Sequence, residues 1–187
     1  MKPHIQEELS CTQPWPSFAV LCAVAALIGG CATPATYEGM VPAKFETAKK
    51  HAQTVSVTVT GGKETDAGGT PQTSDAAFRD ALVGSIKNSQ VFSRVIEGKG
   101  GDYLLTVTLF SLQQPLFGFS MTATMEAGWT LQRASGGAPV WQESIKSAHT
   151  ATTSDAFAGV TRLRLATEGA AKKNIEQGLM KISQLNL

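Results

Sequence analysis

The sequence has few cysteines, no strong excess of one charge and no long apolar run near its start. It contains three cysteines among 187 residues, and 16 basic residues against 15 acidic ones give a net charge of +1. This balance argues against a nucleic-acid-binding protein, which would present a strongly basic face. The apolar run at residues 18–28 is 11 residues long, whereas a membrane-spanning helix needs about 20. The run is therefore too short to span a bilayer.

The apolar run is followed by two small residues and a cysteine, Gly29-Gly30-Cys31. An apolar segment of this length before small residues is typical of an export signal and its cleavage site. With cysteine next, the order is that of a bacterial lipobox, in which the cysteine is lipidated and becomes the first residue of the mature chain. We predict that residues 1–30 are a lipoprotein signal peptide and that Cys31 is the lipid attachment site. The alternative is a buried core helix followed by Gly-Gly-Cys by chance.

The start of this signal is unusual. A signal peptide begins with basic residues, but Lys2 and the neutral His4 are opposed here by Glu7 and Glu8. The true translation start therefore stays open.

Removal of the signal would leave one cysteine. Cys11 and Cys22 precede the cleavage site, and Cys31 would carry the lipid. The mature domain then has no cysteine pair for a disulfide, so packing alone must stabilise it. The remaining length suits a single domain.

The first mature residues show no helical or strand period. Residues 31–53 mix Pro, Ala, Thr and Lys, and we predict a lipidated tether that lets the domain stand off the membrane. Ala32 follows the cysteine, where an Asp commonly retains lipoproteins of this class in the inner membrane. By resemblance to that class, Ala32 indicates the outer membrane, with the domain facing the periplasm.

Residues 54–187 show the patterns of one α+β domain. Extended segments are predicted from alternating apolar residues or short apolar runs between turn signals, and they are residues 54–60, 91–96, 102–112, 119–133 and 140–149. The segment at 102–112 is apolar on both faces, which predicts a central strand. Ser74 is a cap signal for a helix that ends near residue 89. We predict a mixed sheet of about four strands with two helices packed on one face, in the order β-α-β-β-β-α.

The last helix is predicted to begin at the cap signal Ser154-Asp155. Phe157 would be the first residue of its apolar stripe. Arg162 and Arg164 are interpreted as a solvated helix face, although arginine is also common at interfaces.

The same helix carries Glu168 and Lys172 four residues apart. This spacing and orientation predict an ion pair along its surface.

No residue pattern indicates catalysis or metal binding. The string from Gly118 to Thr122 approaches the Gly-x-Ser-x-Gly motif but lacks its final glycine. His149, Ser154 and Asp155 lie close in sequence, and we interpret them as a strand-end histidine and a helix cap. His51 and His149 have no neighbouring metal ligands in sequence. We therefore expect no enzyme, no metal and no cofactor.

The segment from Pro115 to Phe119 is too apolar for an ordinary loop. If it is exposed, it would dock a partner or dip into lipid; if it is buried, it would close the open end of the core. The spacing of Phe117 and Phe119 allows both on one strand face, so we expect burial. Leu116, Phe117 and Phe119 are nevertheless the candidate partner-contact residues.

The order of these features resembles a group of small envelope lipoproteins. The most telling part is the hairpin GWTLQRASGGAPVWQESI, with Trp129 and Trp141. The group includes the lipopolysaccharide-assembly lipoprotein LptE, the YajG-like lipoproteins and the auxiliary lipoproteins of ABC transporters, and the N-terminal domain of TolB has a related fold. The resemblance covers roughly residues 54–187 as an order of elements. It implies a non-enzymatic partner of a membrane machine and transfers only Cys31 as a functional residue.

Three functions follow in order of preference. The first is an outer-membrane lipoprotein that acts as an accessory or scaffold of an envelope complex, in lipid or lipopolysaccharide transport. The second is a periplasmic lipid- or glycan-binding module, and the third an envelope hydrolase or transferase. The partners expected are the membrane, through the lipid on Cys31, and an envelope protein, with no nucleic acid.

Overall fold

A computed structural model describes residues 32–43 and 45–187 of the chain. The predicted signal peptide and Cys31 lie outside the described residues. Within these residues the regular elements, in chain order, are α1 Tyr37–Met40, β1 His51–Thr60, α2 Asp75–Ser89, β2 Phe92–Val95, β3 Tyr103–Gln113, β4 Met121–Arg133, β5 Trp141–Ala151 and α3 Gly159–Ser183.

The strands form one mixed sheet in the order β2-β1-β3-β4-β5. Strand β1 runs parallel to both of its neighbours, and β3, β4 and β5 pair antiparallel. The predicted α+β class is confirmed, and β3 is the central strand as expected. The predicted count of about four strands is wrong by one, because the short extended piece at 91–96 pairs with β1 as an edge strand. Four residues are too few for a sequence pattern to show such pairing.

One face of the sheet is the core of the domain. The alternating apolar residues of β4, which the sequence pattern places on one strand face, are all buried, and they are Met121, Ala123, Met125, Ala127, Trp129 and Leu131. They form one cluster with apolar residues of α2 and α3. The fully buried Trp129 donates its indole N–H to Oδ1 of Asn174 on α3 at 2.9 Å. Strict alternation was therefore sufficient to predict this strand and its buried face.

Glycine lets α3 pass close over the sheet. A Cβ atom on Gly178 would lie 2.6 Å from the ring of Trp129, and one on Gly169 would lie against the ring of His149. Contacts this short would force a side chain or the helix to move. The small residues of α3 thus set how closely it approaches β4 and β5.

The opposite face of β3 is not buried as the apolar pattern predicted. Phe110 is 60% exposed and lies over Gly128 of β4. The outward residues of the neighbouring strands are largely threonine and serine, as in the pair Thr122–Thr150. A sheet packed by helices on one face only leaves its second face to solvent.

Helix α2 agrees with the sequence prediction. The hydroxyl of Ser74 accepts a hydrogen bond from the N–H of Ala77 at 3.2 Å, and the helix ends at Gln90 with a φ of 57°. A polar N-cap and a left-handed C-cap are common helix boundaries.

Helix α3 begins later than predicted. Its first residue is Gly159, and Ala158 precedes it without a side-chain cap. The carboxylate of Asp155 accepts hydrogen bonds from the N–H and hydroxyl of Thr152 instead. This local turn competes with helix capping, so the prediction that Ser154 and Asp155 open the helix is wrong. Phe157 consequently lies in the preceding loop.

The prediction of a free tether is wrong for residues 35–42. Ala35 and Met40 are buried in the core, and the hydroxyl of Thr36 caps α1. Strand β1 also begins at His51, three residues earlier than predicted. The apolar residues of this segment are few and unevenly spaced, so no sequence period reveals their packing.

Candidate functional site

Two loops at one end of the sheet expose large apolar side chains. The β3–β4 loop and the β5–α3 loop lie at the same end, because β3 and β5 run in the same direction. Leu116 and Phe117 are each 85% exposed, Phe119 is 86% exposed and Phe157 is 95% exposed. We call the three phenylalanines, together with the neighbouring Leu116, the aromatic patch.

The expected burial of Phe117 and Phe119 is wrong. Strand β3 ends at Gln113 and β4 begins only at Met121, so neither phenylalanine lies on a sheet face. Gly118 between them has a φ of 150°, a value that L side chains rarely adopt. The spacing of two residues between Phe117 and Phe119 therefore does not indicate a strand, because the segment is a loop. Phe157 was missed as an exposed residue because its spacing fits the helical stripe.

Arg162 ties the two loops together. Its Nη1 donates to the carbonyl oxygens of Ala156 and Phe157, and its Nη2 donates to the carbonyl oxygen of Gly118 at 3.1 Å. The residue is 7% exposed, and its Nε has no hydrogen-bond partner within the described part of the chain. The interpretation of Arg162 as a solvated residue is wrong. Sequence alone gave no signal that three loop carbonyls converge on its side chain.

This position is unusual for a cation. Arg162 lies in the first turn of α3, where the helix dipole disfavours positive charge. Three carbonyl oxygens compensate, since each presents the negative end of its dipole to the guanidinium. The result is a fixed connection between Phe157 and the loop that carries Phe117 and Phe119.

The segment after the predicted lipid site docks onto the same helix. The carboxylate Oε1 of Glu168 accepts hydrogen bonds from the N–H and the hydroxyl of Thr36, each at 2.9 Å. Glu168 is 3% exposed and also pairs with Arg164 at 2.7 Å. The carboxylate predicted to pair with Lys172 therefore pairs with Arg164 instead. A Cβ on Gly39 would clash with Glu168, so glycine makes room for this contact.

Polar contacts join the docked segment to the aromatic patch. The N–H of Ala35 donates to the carbonyl oxygen of Gln72 at 3.0 Å, and the side chain of Gln72 binds that of Gln114 at 3.3 Å. Gln114 also binds Thr167 at 2.7 Å and directly precedes the Pro115–Phe119 segment. The docked segment and the aromatic patch therefore lie at one end of the domain.

Covalent geometry limits how far Cys31 can be from this end. Cys31 is four residues before Ala35, and an extended chain spans at most about 3.5 Å per residue, so the two Cα atoms are within about 14 Å. The predicted lipid site is thus close to the folded body.

The surroundings of His149, Asp155 and His51 differ. Burial lowers the pKa of His149, and the charge of Lys173 lowers it further. Hydrogen bonds from Thr152 lower the pKa of Asp155, whose carboxylate fixes a turn. His51 is buried and its Nε2 lies 3.0 Å from the carbonyl oxygen of Ile182. Asp155 and His51 therefore have structural hydrogen-bond partners, whereas the surroundings of His149 favour its neutral form.

The described part of the chain lacks two features. Among residues 32–43 and 45–187, no group of three or more His, Cys, Asp or Glu side chains is placed to hold a metal ion. In the same ranges, no helix combines the length and the apolar character needed to cross a membrane.

Comparison with known proteins gives a structural likeness only. No protein-family model matches the sequence, and no curated protein matches it. The Chlamydia trachomatis protein CT253 superposes with a TM-score of 0.52 at 7% identity, over 71% of this chain and 96% of that chain. The chain has the fold of that protein.

Two further solved structures superpose less closely. A minor lipoprotein from Acinetobacter baumannii gives a TM-score of 0.49 at 11% identity, over 72% of this chain and 92% of its own. Protein XCC0632 from Xanthomonas campestris, of the DUF330 family, gives 0.48 at 14% identity, over 81% and 90%. The narrower resemblance to LptE and the YajG-like lipoproteins stays a prediction.

Proposed function

We propose that this protein is a lipid-anchored lipoprotein of the outer membrane that acts as a non-enzymatic accessory or scaffold of an envelope complex. The observation that supports it most is the short connection between Cys31 and the docked segment at Ala35 and Thr36. A lipid on Cys31 would hold the folded domain against the bilayer surface. Transport of lipid or lipopolysaccharide is the narrower form of this proposal.

The use of buried polar groups supports a scaffold over an enzyme. Arg162 binds two loops, Glu168 binds the docked segment, and Asn174 binds Trp129 and the carbonyl oxygen of Ile145. Each of these side chains connects elements of the fold. Because these buried groups hold the fold together, they support a scaffold role.

The second function, a lipid- or glycan-binding module, would be supported by an apolar cavity between sheet and helices. The large side chains in that layer, such as Trp129, Phe78 and Leu179, are fully buried and pack in one cluster. The described core therefore gives this function less support than the first.

Lipid attachment is tested by the mass of the mature protein. In protein extracted from membranes, we expect the N-terminal residue to be Cys31 with a diacyl or triacyl lipid, since a single chain binds membranes only marginally. Cys31→Ser removes the thiol, so lipidation and stable membrane attachment should be lost. A variant that keeps the lipid mass would show that another residue is modified.

The accessory role is tested by crosslinking in native membranes. The lipidated protein with a C-terminal tag is crosslinked mildly and purified, and its partners are identified by mass. A stoichiometric envelope protein that is absent from the Cys31→Ser sample supports the role. An eluate with bound lipid or glycan but no protein favours the second function instead.

A further inference from the structure

We propose that the aromatic patch is a second membrane-contact site, which inserts into the bilayer surface beside the lipid on Cys31. The inference rests on the proposed lipid anchor and names the surface that the anchored domain presents to the membrane. It assigns the bilayer as the occupant of Leu116, Phe117, Phe119 and Phe157.

The first support is the exposure of the patch. Each of its four side chains is at least 85% exposed. In contrast, Phe110 on the open sheet face is 60% exposed and lies over Gly128. Large apolar side chains left in water on adjacent loops mark a surface that meets a protein or a membrane.

The second support is that the backbone of both loops is held in place. Arg162 binds the backbone of both, through the carbonyl oxygens of Phe157 and Gly118. A patch whose backbone is already fixed loses less conformational entropy on binding than a flexible loop does. The phenylalanines are therefore held ready for insertion.

The third support is position. The docked segment at Ala35 meets Gln72, and Gln72 meets Gln114 beside the patch. With Cys31 within about 14 Å of Ala35, the lipid and the patch reach the membrane from the same end. Attachment of the lipid raises the local concentration of bilayer around the patch, so a weak apolar contact is sufficient.

The charge of the loops indicates how the contact works. Residues 114–120 and 152–158 contain no lysine or arginine, and Asp155 is their single charged residue. Insertion is therefore driven by apolar burial and does not depend on anionic headgroups. Neutral phosphatidylcholine should suffice, and added salt should change the contact little.

The test places an environment-sensitive fluorophore on the patch. Phe117→Cys is labelled with a nitrobenzoxadiazole dye in the lipidated protein, whose own cysteine is blocked by the lipid. Val140→Cys is the matched control, because Val140 lies at the opposite end of β4, whose 13 residues extend about 40 Å. Both proteins are reconstituted into phosphatidylcholine vesicles that contain a lipid spin-labelled near the headgroup.

We expect the emission of the dye at position 117 to shift to the blue and to be quenched by the spin label. The dye at position 140 should stay aqueous and unquenched. If the dye at position 117 stays exposed to water while the protein still co-floats with the vesicles in a density gradient, the proposed membrane contact is overturned and the lipid anchor is not. Loss of flotation would contradict the anchor itself, so the two failures are distinguishable.

A protein occupant gives a third pattern. If position 117 is aqueous in pure lipid vesicles but shielded in native membranes, its occupant is a protein and the bilayer assignment is wrong. The double variant Phe117→Ser, Phe119→Ser adds a quantitative measure. The variant protein should move from one vesicle to another at least about tenfold faster than the wild-type protein. The reason is that burial of a phenylalanine side chain in an apolar environment is strongly favourable. Unchanged transfer with normal folding would also contradict the proposal.

Discussion

Arg162 shows how one side chain organises two loops. It lies where the helix dipole opposes a cation, and the carbonyl oxygens of Ala156, Phe157 and Gly118 compensate for that position. Its buried guanidinium therefore has a structural role, because its hydrogen bonds link the β5–α3 loop to the β3–β4 loop.

Replacement of Arg162 should separate the loops. We expect Arg162→Met to lower the free energy of unfolding by about 2–3 kcal/mol, because three partly buried hydrogen bonds from a charged group are lost. Denaturant unfolding measures the change. Arg79→Met is the control, since Arg79 pairs with the exposed Asp80 and its replacement should change stability by less than about 0.5 kcal/mol. Equal effects of the two variants would contradict the structural role of Arg162.

His149 gives a pH dependence of defined sign. Burial and Lys173 lower its folded-state pKa, while Asp155 opposes them and Lys172 adds to them. The folded state therefore favours neutral histidine. Its contribution to stability is full above the unfolded pKa of about 6.5 and is lost as the pH falls below that value.

The variant His149→Gln isolates this contribution. Between about pH 7.5 and 5.5, wild-type stability should fall more than that of the variant, as measured by denaturant unfolding at each pH. Asp102 and Asp155 do not interfere, because their lowered pKa values place their titration below this window. Parallel pH curves for the two proteins would rule out a role of His149.

At the scale of elements, α3 depends on glycine where it crosses the sheet. Gly178 faces the ring of Trp129 at a distance that leaves no room for a methyl group. Gly178→Ala should reduce stability by about 1–3 kcal/mol through overpacking, which exceeds the gain of about 0.5–1 kcal/mol expected for alanine in a helix. Gly159→Ala is the control, since a Cβ atom on Gly159 would lie 3.5 Å from its nearest neighbour, the Cε atom of Met121. Thermal unfolding of both variants checks the difference.

The elements that sequence predicted well are those with a strong local period. Strand β4 with its six inward residues and helix α2 with its Ser74 cap agree with the structure. The start of α3 was missed because Asp155 serves a turn with Thr152 instead of a cap. Strand β2 was too short to be recognised as part of the sheet.

The candidate site depends on contacts between distant parts of the chain. Gly118 and Arg162 are 44 residues apart, and Thr36 and Glu168 are 132 apart. Local sequence patterns do not predict contacts between residues so far apart. Sequence therefore indicated the apolar Leu116–Phe119 segment but not its exposure, its partner Phe157 or the arginine between them.

At the scale of the whole molecule, Glu168 joins the segment at Thr36 to the last helix. Glu168→Ala removes the acceptor of Thr36 and the partner of Arg164, and should lower stability by about 1–3 kcal/mol. Residues 35–42 should then exchange their amide hydrogens faster, as measured by mass spectrometry. Glu176→Ala on the same helix is the control, and it should leave exchange in that segment unchanged. Equal protection in both variants would contradict the docking role of Glu168.

The docking of Thr36 on Glu168 also sets an order of events. A chain exported N-terminus first presents Thr36 to the new compartment long before residue 168 arrives, because 132 residues separate the two. Until then the segment around Ala35 has no α3 to bind. If Cys31 carries a lipid as proposed, it could be attached before the fold closes, and the arrival of α3 would then dock the segment at Thr36 onto the domain.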